Sequence, residues 1–400
     1  MKKILFVDAE PDVLEKLKLM LAPLRQEWEM TFVQSGQAAL DKLAQEPFGV
    51  VIADMRMPDM TGAQLLTEVR TQHPHVLRMI LSDQDRDTTL QTVGSAHQWL
   101  PKACDSNVFR DLVTRAGAVH DLLEDEALRK LVAGMETLPS LPTLYRSLMA
   151  ELQSENASIA NAAKIISQDM GMVTKILQVV NSPFYGLRTR ISSAAQAVGL
   201  LGLDTIKSLV LSMKVFSQFE GARQSFFSLD VLWQHGMVTS RHARAIAKEA
   251  KVEQRLMEDA FTAGLLHDVG LLVLANNLPD QYTESVAMVQ SQGIPEWQAE
   301  RNVFGASHAE VGAYLLGIWG LSDAIVEAVA FHHEPVRSMG HAFSALTAIH
   351  VANAIDEETQ AAGAGDSPIV LDAEYLGHCG IGKTALTAWC DACLSSTDPA

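Results

Sequence analysis

A chain of 400 residues with 48% hydrophobic content has enough apolar material for two or three separate cores, which excludes disorder over most of its length. Its 31 Lys and Arg stand against 48 Asp and Glu, a formal net charge of −17, and no run of basic residues interrupts that balance. Non-specific nucleic-acid binding is therefore disfavoured. Four cysteines, Cys104, Cys379, Cys390 and Cys393, are too few for a disulfide framework and agree with a reducing compartment. The longest apolar runs fall short of the roughly 18 residues of a membrane span, and the start, MKKILFVDAEPD, reaches acids before any leader pattern forms. A cytoplasmic protein without membrane contact is expected.

Three short apolar runs open the chain: Lys3 to Val7 ends in Asp8, Phe48 to Ala53 ends in Asp54, and Val76 to Leu81 ends in Ser82. Helical patterns at Val13 to Leu24 and Gly62 to Val69 lie between them, and this β-α-β-α order predicts a doubly wound parallel sheet. Ligand sites in such sheets lie beyond the carboxyl ends of the strands, where Asp8, Asp54, Ser82 and Lys102 all fall. Carboxylates there suit a divalent cation, while a hydroxyl and an ammonium suit a phosphoryl group.

With VDAEPD, IADMRMPDMTG, ILSD and QWLPK, this part closely resembles the receiver domain of bacterial response regulators. The resemblance implies a five-stranded α/β receiver over residues 1–120, phosphorylated on Asp54 by a sensor histidine kinase. It implies Ser82, Trp99 and Lys102 as switch residues, and Mg²⁺ held by Asp8, Glu10 and Asp54. Ala9 stands where the family has its second acid, and Ala103 where it has proline.

From Asn107 to Val132 the pattern stays helical, which allows one helix joining two domains or pairing with a second copy in a homodimer. Residues 121–138 are assigned to this linker, and Pro139 and Pro142 in GMETLPSLP mark the boundary that follows. Beyond it strand patterns vanish. Helices are expected at Leu144 to Leu152, Ser158 to Ser167, Met172 to Val180, Ser193 to Leu201 and Asp204 to Phe219. More are expected at Leu229 to Ala250, Arg255 to Asn276, Gln281 to Gln292, Ser307 to Trp319, Ser322 to His332 and His341 to Asp356.

Within AFTAGLLHDVGLL, His267 and Asp268 interrupt an apolar helix. Neighbours point about 100° apart on a helix, so the two share an ion only at a bend, which Gly270 would permit. The strings LPSLPTL, IISQDMGMVTKILQVVNSPFYGL, ISSAAQAVGLLGLDTIKSLVL, LLHDVG, SHAEVGAYLLGIWGL and FHHEP resemble, in that order, the HDOD domain, an all-α output relative of the HD phosphohydrolases. This domain is assigned to 139–345, with a C-terminal helical extension over 346–400. The resemblance implies a transition-metal site of His235, His267, Asp268, His308, His332 and His333, with Asn353 at the position of a distal aspartate. Leu271 stands where catalytic relatives carry lysine, and PVRSMG replaces their glycine-tyrosine-proline signature.

The reading favours no catalytic residues and an output through an unknown downstream protein, without DNA contact. The alternative is a receiver-gated metal-dependent phosphohydrolase or cyclic-dinucleotide phosphodiesterase. His242 falls on the same helical face as His235. GHCGIGKT fits a phosphate-loop pattern but lacks a preceding strand, and His378, Cys379, Cys390 and Cys393 form a weak zinc pattern.

Overall fold

The computed structural model describes residues 2–82, 96–102, 122–181, 190–203, 206, 217–218, 228–361 and 371–395, less positions 27, 124, 134, 136–138, 141, 155–156 and 341. The first unit runs β1 (Lys2–Val7), α1 (Pro11–Met20), β2 (Trp28–Val33), α2 (Gly36–Gln45), β3 (Val50–Asp54), α3 (Gly62–Gln72), β4 (Leu77–Ser82) and β5 (Gln98–Pro101). All sheet pairings are parallel, in the order β2-β1-β3-β4-β5. Strands β1 and β3 sit inside, which is why Ile4 to Val7 and Val50 to Ala53 read as unbroken apolar runs and are almost wholly buried.

Ser35 caps α2 through the Ala38 N–H at 3.2 Å, and Thr61 with Gln64 forms a capping box on α3. At Gly62 an added Cβ would stand 2.3 Å from the Asp54 carbonyl oxygen, so only glycine lets α3 start against the end of β3. The sequence reading located neither β2 nor β5. WEMTFV mixes polar and apolar residues, and β5 has only four residues at the sheet edge.

The second unit is helical. It runs α4 (Glu126–Ala133), β6 (Pro139–Ser140), α5 (Pro142–Gln153), α6 (Ile159–Ile166), α7 (Met170–Val180), α8 (Ala194–Leu201), β7 (Ser217–Gln218) and α9 (Leu229–Glu249). Then come α10 (Gln254–Leu266), α11 (Val269–Asn277), α12 (Pro279–Gln292), α13 (Glu296–Phe304), α14 (His308–Ile318), α15 (Asp323–Phe331), α16 (Ala345–Ala361), α17 (Ala373–His378) and α18 (Lys383–Ser395). Ser158, Ser193, Ser228, Ser307 and Ser322 each cap a helix through a side-chain oxygen.

Several expectations are corrected. The helix expected over Arg255 to Asn276 is two, because the chain breaks at His267 and Asp268 themselves. Strand β7 pairs with β6 where helix was expected up to Phe219. Helix α13, with its polar EWQAERNVF, was not foreseen, and α16 begins at Ala345 rather than His341. The boundary placed after residue 345 falls at the head of α16, which packs against α9, α10 and α15 in the core and is no appendage. GHCGIGKT joins α17 to α18, so a helix rather than a strand runs into it. Cys379 Sγ lies 3.9 Å from the Ala342 carbonyl and Cys393 Sγ 3.8 Å from that of His242, contacts of two different places in the fold. Cys104, the span 103–121 and Asp204 lie outside the described residues. Among those described, no single helix is long and apolar enough to cross a membrane.

Candidate functional site

At the carboxyl edge of the sheet, Lys102 Nζ lies 3.0 Å from Asp8 Oδ2, 3.0 Å from Asp54 Oδ1 and 3.8 Å from Glu10 Oε1. Asp8 is fully buried, and its Oδ1 accepts the Glu10 backbone N–H at 2.9 Å. Burial raises the Asp54 carboxyl above its ordinary value, and Lys102 offsets part of that. For Lys102, burial works against the ammonium, but Asp8 and Asp54 outweigh it and raise its pKa. Asp8 Oδ2 meets Lys102 without a directed hydrogen bond, so a buried carboxylate oxygen faces the pocket with capacity to spare. Two carboxylates with Glu10 beside them fit a hard divalent cation. Ser82 ends β4 and Trp99 lies in β5, as expected for their backbones; their side chains lie outside the described residues.

The second cluster forms where the α10–α11 break turns His267 and Asp268 toward one point. Asp268 Oδ1 lies 3.3 Å from His267 Nε2, 3.3 Å from His308 Nε2 and 3.7 Å from His332 Nε2. His235 Nε2, from α9, lies 3.5 Å from Asp268 Oδ2 and 3.0 Å from His267 Nε2. His333 Nε2 lies 3.0 Å from His308 Nε2. Two overlapping donor sets result, Asp268 with His308, His332 and His333, and His235 with His267 and Asp268; in each, the ligand atoms lie within 4.8 Å of one another. Asp268 belongs to both. The structure thus brings together all six residues expected here.

Most of these imidazoles are oriented from behind. His267 Nδ1 contacts the Gly264 carbonyl at 2.7 Å and His332 Nδ1 that of Val329 at 2.8 Å, while His308 Nδ1 meets Glu300 Oε2 at 2.7 Å and His235 Nδ1 meets Asp356 Oδ2 at 2.6 Å. Such partners fix the tautomer that leaves Nε2 to the centre. Burial pushes His267 down to about 4 and holds His332 and His333 well below the usual imidazole range, so their ring nitrogens are free as ligands at neutral pH. Burial acts against ionised Asp268, but His267, His308 and His235 outweigh it and hold its carboxyl well below the usual range. The opposite balance holds at His308, where Glu300 and Asp268 overcome burial and raise it well above. His332 Nε2 and Asn353 Oδ1 are buried without a hydrogen-bond partner among the described residues. A clustered donor set with orphaned polar atoms fits a borderline transition ion.

Sequence reasoning missed the supporting acids. Asn353 does line the cavity, of about 270 Å³, but its Nδ2 donates to Glu357 Oε1 at 2.9 Å, and Glu357 lines the same cavity. Behind the donor sets, α16 brings Asp356 to His235 Nδ1 and Glu357 to the cavity wall, while Asp268 is the carboxylate of both sets. A spacing of i, i+4 from Asn353 to Glu357 was a readable signal. Glu300 had none, since it lies on the unforeseen α13. His242 is buried on α9, and neither ring nitrogen has a hydrogen-bond partner among the described residues. Leu271 is buried in α11.

Gly270 is present for proximity rather than for the bend. A Cβ there would stand 1.9 Å from the His308 carbonyl oxygen, so glycine lets α11 and α14 meet beneath the cluster. Gly270→Ala is expected to destabilise the protein by about 3 kcal/mol or more, the upper end of overpacking costs, as a lowered denaturant midpoint. An unchanged midpoint would mean that the two helices separate freely.

Fold and sites together define an α/β receiver-type sheet followed by a helical domain built around a histidine–aspartate cluster. Comparison with known families agrees: the response regulator receiver domain matches residues 4–114, and the HDOD domain matches residues 138–335. The chain belongs to the response regulators that pair a receiver domain with an HDOD output domain.

An uncharacterized protein of Treponema pallidum (strain Nichols) is 28% identical over 202 residues, 50% of this chain and 38% of that protein. Response regulator protein PilR of Pseudomonas aeruginosa is 32% identical over 128 residues, 32% of this chain and 28% of PilR. The chain therefore spans well under half the length of either relative. Among solved structures, the MmoQ response regulator from Methylococcus capsulatus str. Bath is 24% identical, with a TM-score of 0.49, covering 64% of this chain and 98% of that one.

Proposed function

We propose that Asp54 accepts a phosphoryl group from a histidine kinase and that the edge strand β5 passes the change to an ion-holding, non-hydrolysing HDOD domain acting on a partner protein. The observation that carries this reading is the seating of β5. Gln98 Nε2 donates to the Ile318 carbonyl at 3.2 Å, and Gln178 Nε2, from α7, donates to the His97 carbonyl at 3.1 Å. Ile318 is the last residue of α14, and His308 of the cluster is its first. One helix of 11 residues thus touches the receiver at one end and the cluster at the other.

The same edge is locked by polar groups withdrawn from water. Arg78 and His97 are buried; the Arg78 N–H donates to His97 Nδ1 at 3.0 Å, and His97 Nε2 and Arg78 Nη2 both donate to the Ala133 carbonyl, at 2.8 and 2.9 Å. Burial, aided by Arg78, holds His97 well below the usual range and so neutral, which suits one accepting and one donating nitrogen. Ala133 ends α4, so the lock also binds the linker to β4 and β5. A buried, fully bonded network has few alternative arrangements and suits a two-position switch.

In the receiver pocket, an Asp54 carboxylate oxygen is the nucleophile toward phosphorus, and Lys102 is placed to shift from Asp54 to a phosphoryl oxygen. Asp8, Glu10 and Asp54 would hold Mg²⁺, which supplies neutralisation of charge on the transferring group. In the HDOD cavity, Asp268, Glu296 and Glu357 form part of the wall, and no Lys or Arg lines it among the described residues. No Lys or Arg is therefore placed to neutralise a phosphodiester's charge in the transition state, which supports the non-hydrolysing reading.

Hydrogen exchange of the full chain with and without acetyl phosphate and Mg²⁺ tests the relay. Protection across 308–318 is expected to change on phosphorylation, and Gln98→Ala is expected to remove most of that change while leaving labelling intact. Phosphorylated wild type with an unaltered α14 would refute the relay.

A further inference from the structure

No basic cluster is legible in the sequence, yet folding assembles one. Arg241, Arg244 and Lys248 lie at i, i+3 and i+7 on one exposed face of α9, beside a groove of about 690 Å³. Lys164, from α6, lines an adjoining cavity of about 390 Å³. The two cavities share Arg244 and Phe261, and the Arg244 guanidinium sits 5.9 Å from the Phe261 ring centre.

Four cations gathered in a concave region of a chain with net charge −17 repel one another unless an anion joins them. None of the four forms an ion pair among the described residues, and Arg241 is engaged only by Nε, to the Met237 carbonyl at 3.2 Å. Of the acids nearby, Glu258 is taken up by Gln254 Nε2 at 3.1 Å and Gln196 Nε2 at 3.4 Å, and Glu249 lies on the groove's wall. The smaller cavity differs in character. Val173, Ala194, Met237 and Leu265 give it apolar walls, with Gln168 and Ser193 as polar groups at its side. An apolar slot with a few polar groups, opening past an aromatic–arginine pair onto three cations, matches a flat heterocycle joined to phosphate.

We propose that this double cavity binds a purine nucleoside phosphate, with the base in the slot beside Phe261 and the phosphate against Arg241, Arg244 and Lys248. The site is separate from the histidine–aspartate cluster, because no residue lines both this double cavity and the cluster's cavity. It lies on α9, the helix that also carries His235, so occupancy has a direct route to the cluster.

Calorimetric titration of the full chain with ATP, AMP, adenosine and pyrophosphate, at low and moderate salt, tests the proposal. ATP or AMP is expected to bind at least about tenfold more tightly than adenosine or pyrophosphate alone, with affinity falling as salt rises. Arg244→Gln is expected to weaken the nucleotide by about tenfold or more, and Lys248→Gln to weaken it less. Phe261→Leu is expected to weaken the nucleotide but leave pyrophosphate unchanged. All three positions are at or near the surface, so circular dichroism should remain that of the wild type. Binding by no nucleotide overturns the proposal, as does pyrophosphate binding as tightly as ATP, which would mark a mere anion patch. Nucleotide binding that survives both cation variants but is lost in His267→Ala would place the ligand at the cluster instead and equally overturn it.

Discussion

Asp54→Asn is expected to abolish phosphoryl transfer to the chain, whereas wild type incubated with acetyl phosphate and Mg²⁺ gains one phosphoryl mass increment. The carboxylate at Asp54 is the nucleophile, and an amide in its place neither attacks phosphorus nor forms the acyl phosphate. Asp54 ends β3 with its side chain turned to the pocket that also holds Asp8 and Lys102, and among the described residues no other carboxylate is equally placed. Asp8 is held by Glu10 and is wholly buried, while Glu10 is mostly exposed. Equal labelling of wild type and Asp54→Asn by intact mass would remove Asp54 from this role. Labelling of neither would locate the defect at Ala9, and Ala9→Asp would then be expected to restore it.

The second large effect is expected at Asp268. Its carboxylate belongs to both donor sets, so Asp268→Asn removes the anionic ligand from each at once. Outer partners of metal ligands alone are worth about 10- to 100-fold in affinity, and the shared ligand should be worth more, on the order of 100-fold or beyond. Elemental analysis of protein purified without chelator should find a transition metal in wild type and little in Asp268→Asn. Glu300→Gln, which loosens His308 from behind, should fall between them. Full metal content in Asp268→Asn would place the ion elsewhere. With or without added ions, wild type is expected to release nothing from a chromogenic phosphodiester; robust turnover lost in His267→Ala would instead establish the hydrolase alternative.

The strands β1, β3 and β4 were legible because burial on both faces writes them as continuous apolar runs. Strand β5 was not, because four residues at a sheet edge carry no periodicity of their own, yet this strand makes the interdomain contacts. The six cluster residues were legible as a set through the resemblance to the HDOD domain; on physical grounds the sequence singled out the His267-Asp268 pair, because uncompensated charge in an apolar helix is costly. Glu300 was not, since an acid on the polar α13 reads as an ordinary solvated residue until the fold turns it inward, and of the acids on α16 Glu357 offered only its i, i+4 spacing from Asn353. The bend at His267 was anticipated from geometry, but its cause was misplaced: Gly270 serves the close approach of α14. The basic groove shows the same limit from the other side, because its cations gain meaning only when α10 and α18 wall it in.

Coupling through α14 has a thermodynamic consequence that a single measurement can reach. If phosphorylation at Asp54 and ion binding at the cluster bias the same helix, each must alter the other by the same factor. The decisive measurement is the Zn²⁺ affinity of the cluster in saturating Mg²⁺, with and without acetyl phosphate, for wild type and Asp54→Asn. The relay predicts a shift of about 5- to 150-fold in wild type, the usual range of such coupling, and none in Asp54→Asn. Identical Zn²⁺ affinity in phosphorylated and unphosphorylated wild type would contradict it.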